Sequence, residues 1–520
     1  MQYMVGRMDR RPTPTTYAPT LTFTLIALVT GCPGPRPSPG PRARRPAALH
    51  LARIARVDTT SWVPESLVVS PDGRSIAYRD YVGRHTRVVH DGRRHRIYEA
   101  IGPLRFSSDS RHLAYVGRRK NQDHLVRDGR EGTVHEAISS QSLTFSPDSN
   151  HLAFTAKTGL QHQAVRDAKA DPPFDSIGQG SLTWGPRSRR LAYAAKLNAK
   201  AFLVIDSKPG PAHDDVAHFA FAPRGSRWAY QAREGRQFRM VIDGRVGPLY
   251  DSTSPPFFSP DGRHLAFVAL QRSHGLRLVR DGRAQPLFRD IGQPRWSPRD
   301  NHLAYVARSK AGYVVVRDGR ATSPVARISA ASLTWAPRGK HLAWIAAVEN
   351  GETMVIDDNP GPTWKDVFAP VWTRDGRRLA YGVQYRTGGR VVARVVVDGR
   401  PGPRFAEVGM PVFSADGRRV AYPARRGATW QMVVDGRPQA PFKRVGHPVF
   451  GPRSRHLAYV VVTTEGFRVV VDGRPERAFA IILGRKPGMV SFDSSTQLRY
   501  LGITASRREA TIYSVTQRLK

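Results

Sequence analysis

The stretch FSPDGRHLAF runs from Phe258 to Phe267, and the stretch LVRDGR follows it from Leu278 to Arg283. Relatives of both stretches recur along the chain from residue 66 onward, which is the sequence signature of a repeat architecture. A twelfth, degenerate copy spans Val490 to Ile503 and has Arg499 in the place of the central alanine. In the other copies that alanine returns every 37 to 41 residues, at Ala77, Ala114, Ala153, Ala192, Ala229, Ala266, Ala304, Ala343, Ala380, Ala421 and Ala458.

Each copy predicts four short strands. The first strand ends in an aromatic residue such as Phe258 and enters the SPDG sequence at 259–262, which suits a type I turn. The second strand is the HLAF run, and the third is a β-branched run such as Val395–Val397 that leads into an Asp-Gly hairpin signal. A fourth strand, for example Pro441 to Val445, closes the unit.

The apolar runs of the middle strands are continuous rather than alternating, so both of their faces are expected to be covered. Four-stranded units of this length that bury both faces against neighbours describe the blades of a β-propeller. The SPDGRSIAY sequence from Ser70 to Tyr78 resembles the repeat of TolB-type, WD-like bacterial propellers. The resemblance implies an all-β propeller over almost the whole chain after residue 49.

About twelve blades exceed the four to eight that are typical of one ring. The sequence therefore favours two six-bladed rings in tandem, at 50–287 and 288–520, over one large ring, although the number of strands permits either. The segment from Leu51 to Val57 precedes the first copy and reads as an orphan fourth strand. Pairing it with Thr511–Val515 would seal the last blade and remove exposed sheet edges.

The N-terminal sequence has the features of a targeting signal. The apolar run LTFTLIALVT at 21–30 is too short to span a bilayer and suits a signal peptide over residues 1–31. It leads into Gly31 and Cys32, which resemble the lipobox of bacterial lipoproteins, where the cysteine is lipidated. Cys32 is the only cysteine in the chain. Residues 32–49, rich in Pro, Gly and Arg, predict an extended tether. Pro33 follows the cysteine, and the resemblance then implies an outer-membrane anchor facing the periplasm.

Charge is strongly unbalanced in this 520-residue chain, with 81 Lys and Arg against 42 Asp and Glu, for a net charge of +39. Such a balance favours anionic partners. In a four-stranded blade, the first-to-second and third-to-fourth turns emerge at the same end of the ring, so arginines that follow both turns would decorate one face. This face is a candidate site for phosphates or carboxylates, and a solvated rim of turn residues is the alternative. The candidate residues are Arg74, Arg93, Arg263, Arg283, Arg400 and Arg437.

Catalytic motifs are absent from the sequence, which has no nucleophile elbow, phosphate-binding glycine loop, HExxH sequence or EF-hand loop. The sequence therefore predicts no enzyme, no cofactor and no metal. Three histidines at 85, 90 and 95 would point to alternate faces of strands, and the polar group at 213–218 suits a loop or a blade edge. Six histidines occupy one repeat position, which predicts a structural role: His112, His151, His264, His302, His341 and His456.

The resemblance implies a lipid-anchored, non-catalytic propeller that binds or scaffolds a protein of the bacterial cell envelope. The alternative is a binder of anionic polymer, such as lipopolysaccharide, acidic glycan or nucleic acid, through the basic face. A propeller glycan lyase or hydrolase is a less favoured third alternative. The expected partners are thus an envelope protein first, an anionic polymer second, and a membrane through the anchor at Cys32.

Overall fold

A computed structural model describes residues 49–58, 60–272, 274–338, 341–483, 490–506 and 509–519. The predicted signal peptide, Cys32 and residues 33–48 of the predicted tether lie outside these ranges. The described residues contain strands and turns only, arranged as twelve antiparallel sheets of mainly four strands. The prediction of an all-β propeller of twelve blades is confirmed. Blade 1 begins at Trp62, and the blades are numbered along the chain.

The first strand of each blade pairs with the second. In blade 7 it also contacts the first strand of blade 6, because the indole N–H of Trp296 donates to the carbonyl oxygen of Phe257 at 3.3 Å. In blades 1, 5 and 8 the first strand is continuous: Trp62–Val69, Asp215–Phe221 and Arg327–Trp335. In the other blades it has two short pieces: Ala100–Ile101 and Arg105–Phe106, Ala137–Ile138 and Thr144–Phe145, Ser176–Ile177 and Thr183–Trp184, Ser252–Thr253 and Phe257–Phe258, Asp290–Ile291 and Arg295–Trp296, Asp366–Val367 and Val371–Trp372, Glu407–Val408 and Val412–Phe413, Arg444–Val445 and Val449–Phe450, and Ile481–Leu483 and Ser491–Ser494.

The second and third strands form the buried centre of each blade, because their apolar runs are covered on both faces. The second strands are Ile76–Val82, Leu113–Arg119, Leu152–Thr158, Leu191–Leu197, Trp228–Glu234, Leu265–Gln271, Leu303–Arg308, Leu342–Val348, Leu379–Thr387, Val420–Arg426, Leu457–Thr463 and Gln497–Ala505. The third strands are His85–His90, Gln122–Arg127, Gln161–Arg166, Lys200–Ile205, Gln237–Ile242, Gly275–Arg280, Tyr313–Arg317, Gly351–Ile356, Arg390–Val397, Thr429–Val434, Gly466–Val471 and Glu509–Arg518.

The fourth strands form the outer edge of the ring. Several carry proline, which suits an edge strand because it lacks an N–H for further pairing. They are Arg93–Tyr98, Arg130–His135, Lys169–Ala170, Lys208–Pro209, Arg245–Tyr250, Arg283–Phe288, Arg320–Ala321, Asn359–Trp364, Arg400–Pro401, Arg437–Phe442, Arg474–Phe479 and, in blade 12, Leu49–Asp58. The predicted fourth strand from Pro441 to Val445 is therefore displaced, since Arg444–Val445 already belongs to blade 11.

The two ends of the chain meet in blade 12. Strand Leu49–Asp58 pairs in antiparallel fashion with Glu509–Arg518, with Val57 opposite Ala510. The prediction that an N-terminal strand seals the last blade is confirmed. This pairing leaves the last blade with four strands, like its neighbours.

The apolar clusters of the described residues show one ring rather than two. Blades 6 and 7 share a cluster in which Ala266 and Leu278 pack with Leu303, and blades 12 and 1 share one in which Ile512 packs with Ile76. Two rings of six would instead have joined blade 6 to blade 1 and blade 12 to blade 7. The preference for tandem rings is therefore wrong.

The predicted division between residues 287 and 288 has no counterpart in the packing, because that boundary falls inside strand Arg283–Phe288. The chain from Ala47 to Lys520 is one compact unit. Among the described residues, every pair of neighbouring blades shares one apolar cluster, as blades 6 and 7 do.

Aromatic pairs join the edge of one blade to the centre of the next. The Phe288 ring, at the end of the fourth strand of blade 6, lies edge-on to Tyr305 of blade 7, with centroids 6.2 Å apart. Phe479 and Tyr500 repeat this arrangement at 5.9 Å. Edge-to-face pairs of this kind are favourable beyond the area that they bury. Burial also raises the pKa of Tyr305 to about 12, so the phenol stays neutral.

We expect the closing strand to determine the stability of the joint between blades 12 and 1. Val57→Asp places a carboxylate at a site where the side chain is 1% exposed, and should lower local stability by at least about 3 kcal/mol. The matched control is His50→Asp, which makes the same residue at an exposed position of the same strand. Hydrogen exchange of blades 12 and 1 measures the effect. Equal protection in the two variants would contradict a structural role for this closure.

Candidate anion-binding face

One end of the ring carries the first-to-second and third-to-fourth turns of the blades, and we call it the arginine face. In blade 7 these two turns touch directly, because the backbone N–H of Leu303, at the start of the second strand, donates to Oδ1 of Asp318 at 3.0 Å. Asp318 and Gly319 form the third-to-fourth turn with φ angles of 48° and 86°. Two consecutive positive φ angles define the type I′ turn that Asp-Gly favours.

The same carboxylate contact recurs in the first eleven blades, and it occupies one oxygen of each turn aspartate. The other oxygen commonly accepts a hydrogen bond from the side chain of the residue just before the second strand. In blade 7 this donor is His302, whose Nδ1 lies 2.6 Å from Oδ2 of Asp318. The aspartates are Asp91, Asp128, Asp167, Asp206, Asp243, Asp281, Asp318, Asp357, Asp398, Asp435 and Asp472.

The six repeated histidines all take part in this contact, so the prediction of a structural role is confirmed. In four other blades an arginine takes the same place and donates through Nε: Arg190, Arg227, Arg378 and Arg419. The position therefore requires a donor to the turn carboxylate, and either side chain supplies it.

The same donors also contact the next blade. The His302 ring stacks on Trp335 of blade 8, with centroids 6.0 Å apart and planes 23° apart. Arg227 lies over the Phe258 ring at 5.8 Å and donates to the carbonyl oxygen of Arg263 in the next blade. Nine of these ten donors thus link a turn of their own blade to the first strand or turn of the following one.

The aspartates of the first-to-second turns are also engaged. Oδ1 of Asp148 accepts from the Ser146 hydroxyl at 2.5 Å and from the backbone N–H of Asn150 at 3.1 Å. The Ser146 hydroxyl is the main reason why the pKa of Asp148 lies at about 2, well below its ordinary value. The pKa of Asp109 is lowered by the same kind of contact. These carboxylates stay ionised and accept hydrogen bonds from residues of their own turns.

The predicted arginines lie together at this end of the ring, and all six are exposed. Arg74 and Arg263 belong to first-to-second turns, while Arg93, Arg283, Arg400 and Arg437 begin fourth strands. Arg263 is 84% exposed and stands 3.8 Å from Asp261. Arg74 lies 3.7 Å from both Asp72 and Asp493. The pairs with Asp261 and Asp72 are long and weak, and Asp493 is held more closely by Arg499 at 2.6 Å. The guanidinium groups of Arg74 and Arg263 therefore remain available to an external anion.

The same face carries further cations beyond the six candidate residues. Six occupy the register position of Arg93, directly after the third-to-fourth turn: Arg130, Lys169, Lys208, Arg245, Arg320 and Arg474. Five more replace the aspartate of the first-to-second turn: Arg187, Arg224, Arg299, Arg338 and Arg453. Four of the first set follow intact Asp-Gly turns and so belong to the repeated DGR series of the sequence: Arg130, Arg245, Arg320 and Arg474. Lys169, Lys208 and the five turn arginines break the DGR pattern, and only a register count from each turn identifies them.

The opposite end of the ring carries a different pattern, because many blades place an acidic residue just before the first strand. Glu99 accepts from the backbone N–H of Lys120 at 2.9 Å, and Asp175 accepts from that of Asn198 at 2.8 Å. Each of these acids holds a second-to-third turn. The acidic series therefore lies away from the arginine face.

The other polar groups singled out in the sequence have structural surroundings. The rings of His90 and His95 are 6.0 Å apart, whereas His85 begins the same strand as His90 at its far end. His213 is buried between the Glu234 carboxylate, at 2.8 Å, and the Tyr230 hydroxyl, at 3.1 Å. Among the described residues, no group of three or more His, Cys, Asp or Glu side chains is arranged to hold a metal ion.

The fold and this face define a β-propeller protein with an arginine-rich turn face. Three solved structures that are similar to it each share 12% identity: the β-propeller domain of the trilobed protease from Pyrococcus furiosus, with a TM-score of 0.25, Hsv2 from Kluyveromyces lactis, with 0.24, and acylaminoacyl peptidase from Pyrococcus horikoshii, with 0.24. They cover 50%, 51% and 55% of this chain, and 93%, 98% and 58% of their own. No family model and no curated protein matches the sequence.

Two of these three structures belong to peptidases, so the prediction that the chain is not an enzyme is contradicted by the comparison. At 12% identity the likeness concerns the fold, and it assigns no catalytic residue to this chain.

We expect the turn aspartate to hold its blade. Asp318→Ala leaves the Leu303 N–H and the His302 ring without their acceptor, which should cost about 1 to 3 kcal/mol. Asp300→Ala, an exposed aspartate in the first-to-second turn of the same blade, is the control. Hydrogen exchange of the Leu303 amide should accelerate in the first variant and stay near the wild-type rate in the second. Unchanged exchange in Asp318→Ala would sink the assigned role of this carboxylate.

Proposed function

We propose that this protein is a β-propeller binding module of the bacterial cell envelope whose arginine face binds an anionic polymer, such as lipopolysaccharide, acidic glycan or nucleic acid. The observation that carries the proposal is the separation of roles within the turns. The aspartates are held by backbone N–H groups, hydroxyls, histidines and arginines, while a second series of arginines and lysines is exposed beside them.

The spacing of these cations suits a repeating ligand better than a single small anion. Ten of the first eleven blades place an arginine or lysine directly after the third-to-fourth turn, and only blade 8 has Asn359 there. One exposed guanidinium contributes little binding energy by itself. A series that repeats from blade to blade engages successive phosphates or carboxylates of a polymer, and its affinity then depends strongly on salt.

The position of the N-terminal strand supports an orientation for the proposed anchor. Leu49 pairs with Gln517, near the end of the third strand of blade 12, so the described chain begins at the arginine face. A lipid anchor at Cys32 would therefore draw this face towards the membrane, where cations near an anionic surface each contribute about 1 kcal/mol. Among the described residues, no helix is long and apolar enough to cross a membrane. The proposed location is the outer membrane, facing the periplasm.

Docking of an envelope protein is a second candidate, favoured by one apolar cavity. It has a volume of about 550 Å³ and lies between the first strands of blades 6 and 7, where Pro255, Pro256, Phe257, Ile291 and Pro294 line it. A cavity of this size accepts apolar side chains of a partner. Binding through such a contact depends far less on salt than binding through the arginine face.

We expect a triple substitution on the arginine face to weaken polymer binding selectively. Arg93, Arg245 and Arg283 change to Gln in the test variant, and Arg84, Arg236 and Arg272, exposed at the opposite end of the same three blades, change to Gln in the control. Both variants lose the same charge. With a DNA duplex as the probe, the slope of log affinity against log salt should fall by up to about 3 in the test variant.

The control variant should retain most of the wild-type slope. Equal weakening in the two variants would show that net charge alone attracts the polymer, and it would overturn the assignment to this face. Absence of measurable affinity in the wild type at 50 mM salt would overturn the polymer proposal and leave the docking candidate.

We expect Cys32→Ser to abolish lipidation and membrane attachment in a Gram-negative host. Labelling with a fatty-acid analogue should mark the wild type and a Thr30→Ser control, which keeps small residues before the cysteine, but not Cys32→Ser. Membranes are washed in 1 M salt so that electrostatic adhesion does not mask release. A wild-type protein that carries no label would refute the anchor.

A further inference from the structure

Two hairpins are longer than those of the other ten blades: the hairpin of the closing blade 12, with strands of nine and ten residues, and the hairpin of blade 9. In blades 1–8, 10 and 11 the second strands have six or seven residues and the third strands five or six. In blade 9 the second strand, Leu379–Thr387, has nine residues and the third, Arg390–Val397, has eight. The ladder continues without a shift to the pair of Thr387 with Arg390. Extensions of single repeats in repeat proteins commonly build a binding surface.

The extension builds an aromatic shelf with the edge of blade 8. The shelf consists of Trp364 and Tyr385, whose ring centroids are 5.5 Å apart with planes 46° apart. They line a shallow cavity of about 520 Å³, and the other lining residues are Asn350, Thr363, Lys365 and Arg386. It lies at the end of the ring opposite the arginine face, since Asn350 belongs to the second-to-third turn of blade 8, and Tyr385 and Arg386 lie near the end of the second strand of blade 9.

The shelf is held firmly from below. The Trp364 ring packs against the apolar cluster that joins blades 8 and 9. A Cβ on Gly351 would stand 1.9 Å from the carbonyl oxygen of Trp364, so only glycine allows the turn of blade 8 to approach this closely. The indole is therefore positioned before any ligand arrives.

The charges around the shelf are mixed, with two cations among its lining residues and with the acidic Glu349 and Asp366 next to lining residues in the chain. Lys365 and Arg386 are exposed at its rim. The nearby Glu352 carboxylate is engaged on both oxygens, with Arg327 at 3.1 Å and with the backbone N–H of Val367 at 3.0 Å. A negatively charged group on a ligand would thus face two cations rather than this carboxylate.

We infer that the aromatic shelf binds an acidic sugar residue of a glycan. Aromatic rings pack against the apolar C–H face of a pyranose, and Trp and Tyr do so while keeping a polar edge. The Asn350 amide and the Thr363 hydroxyl match sugar hydroxyl groups, and Arg386 with Lys365 matches a carboxylate. Single-stranded nucleic acid fits less well, because its binding sites repeat aromatic platforms along a basic groove, and here two tilted rings form one platform.

This site goes beyond the binding proposed for the arginine face and is independent of it. Calorimetry with trigalacturonate, maltotriose and hexathymidylate as probes tests it on the purified protein at 150 mM salt. Trigalacturonate should bind at least about tenfold more tightly than neutral maltotriose, since it alone offers carboxylates to Arg386 and Lys365. Hexathymidylate should not compete.

Two substitutions locate the site. Tyr385→Ala should weaken trigalacturonate binding at least about fivefold, and Arg386→Gln about tenfold. Tyr81→Ala and Arg84→Gln are the controls, because they change an exposed tyrosine and an exposed arginine beside the corresponding turn of blade 1. The triple arginine-face variant should bind trigalacturonate as the wild type does.

Three results would overturn the inference. Equal binding of maltotriose would remove the acidic requirement. Displacement of trigalacturonate by hexathymidylate, together with weaker hexathymidylate binding in Tyr385→Ala, would make the shelf a nucleic-acid site. Loss of trigalacturonate binding in the arginine-face variant but not in Tyr385→Ala would place the sugar on the other end of the ring. If the protein fails to bind DNA but still binds trigalacturonate at the shelf, the proposed function is rejected and the inference about the shelf is kept.

Discussion

The structure depends on one carboxylate, the aspartate of the third-to-fourth turn. In blade 7, Asp318 accepts from the first N–H of the second strand and from His302, which stacks on Trp335 of blade 8. A hydrogen bond within a blade and a packing contact between blades are thus joined through one side chain. Because the arrangement repeats, a modest energy at each turn holds every blade in register with the next. The neighbouring arginines of the arginine face take no part in this arrangement and are exposed to solvent.

The repeat predicted the blades well because each strand follows from local signals. The Asp-Gly turns, the continuous apolar runs and the aromatic ends of the first strands are all determined within about 40 residues. The ring could not be counted in this way. Whether Leu278 packs on Leu303 of the next blade or the chain starts a new ring depends on contacts that no repeat encodes. The fourth strand was displaced because Phe442 and Val445 are both apolar, and the turn between them carries no glycine.

The two candidate sites differ in the same way in how far the sequence predicts them. The arginine face was predictable wherever the DGR sequence was intact, and Lys169 was missed because its turn reads Asp-Ala-Lys. The aromatic shelf gave no sequence signal, since Trp364 and Tyr385 belong to different blades and only the packing of neighbours brings their rings within 5.5 Å. Periodicity identifies what all blades share. Residues that make one blade different become visible only in the folded ring.

The pairing of Val57 with Ala510 also sets an order of events during synthesis. The strand Leu49–Asp58 cannot pair until nearly the whole chain has been synthesised. Contacts between residues so far apart in the sequence form slowly. Until then, the first face of blade 1 and the open edge of the last blade are both exposed to association with other chains. The ring is therefore complete only when its two ends meet, and until then the blades form an open arc with an unpaired edge.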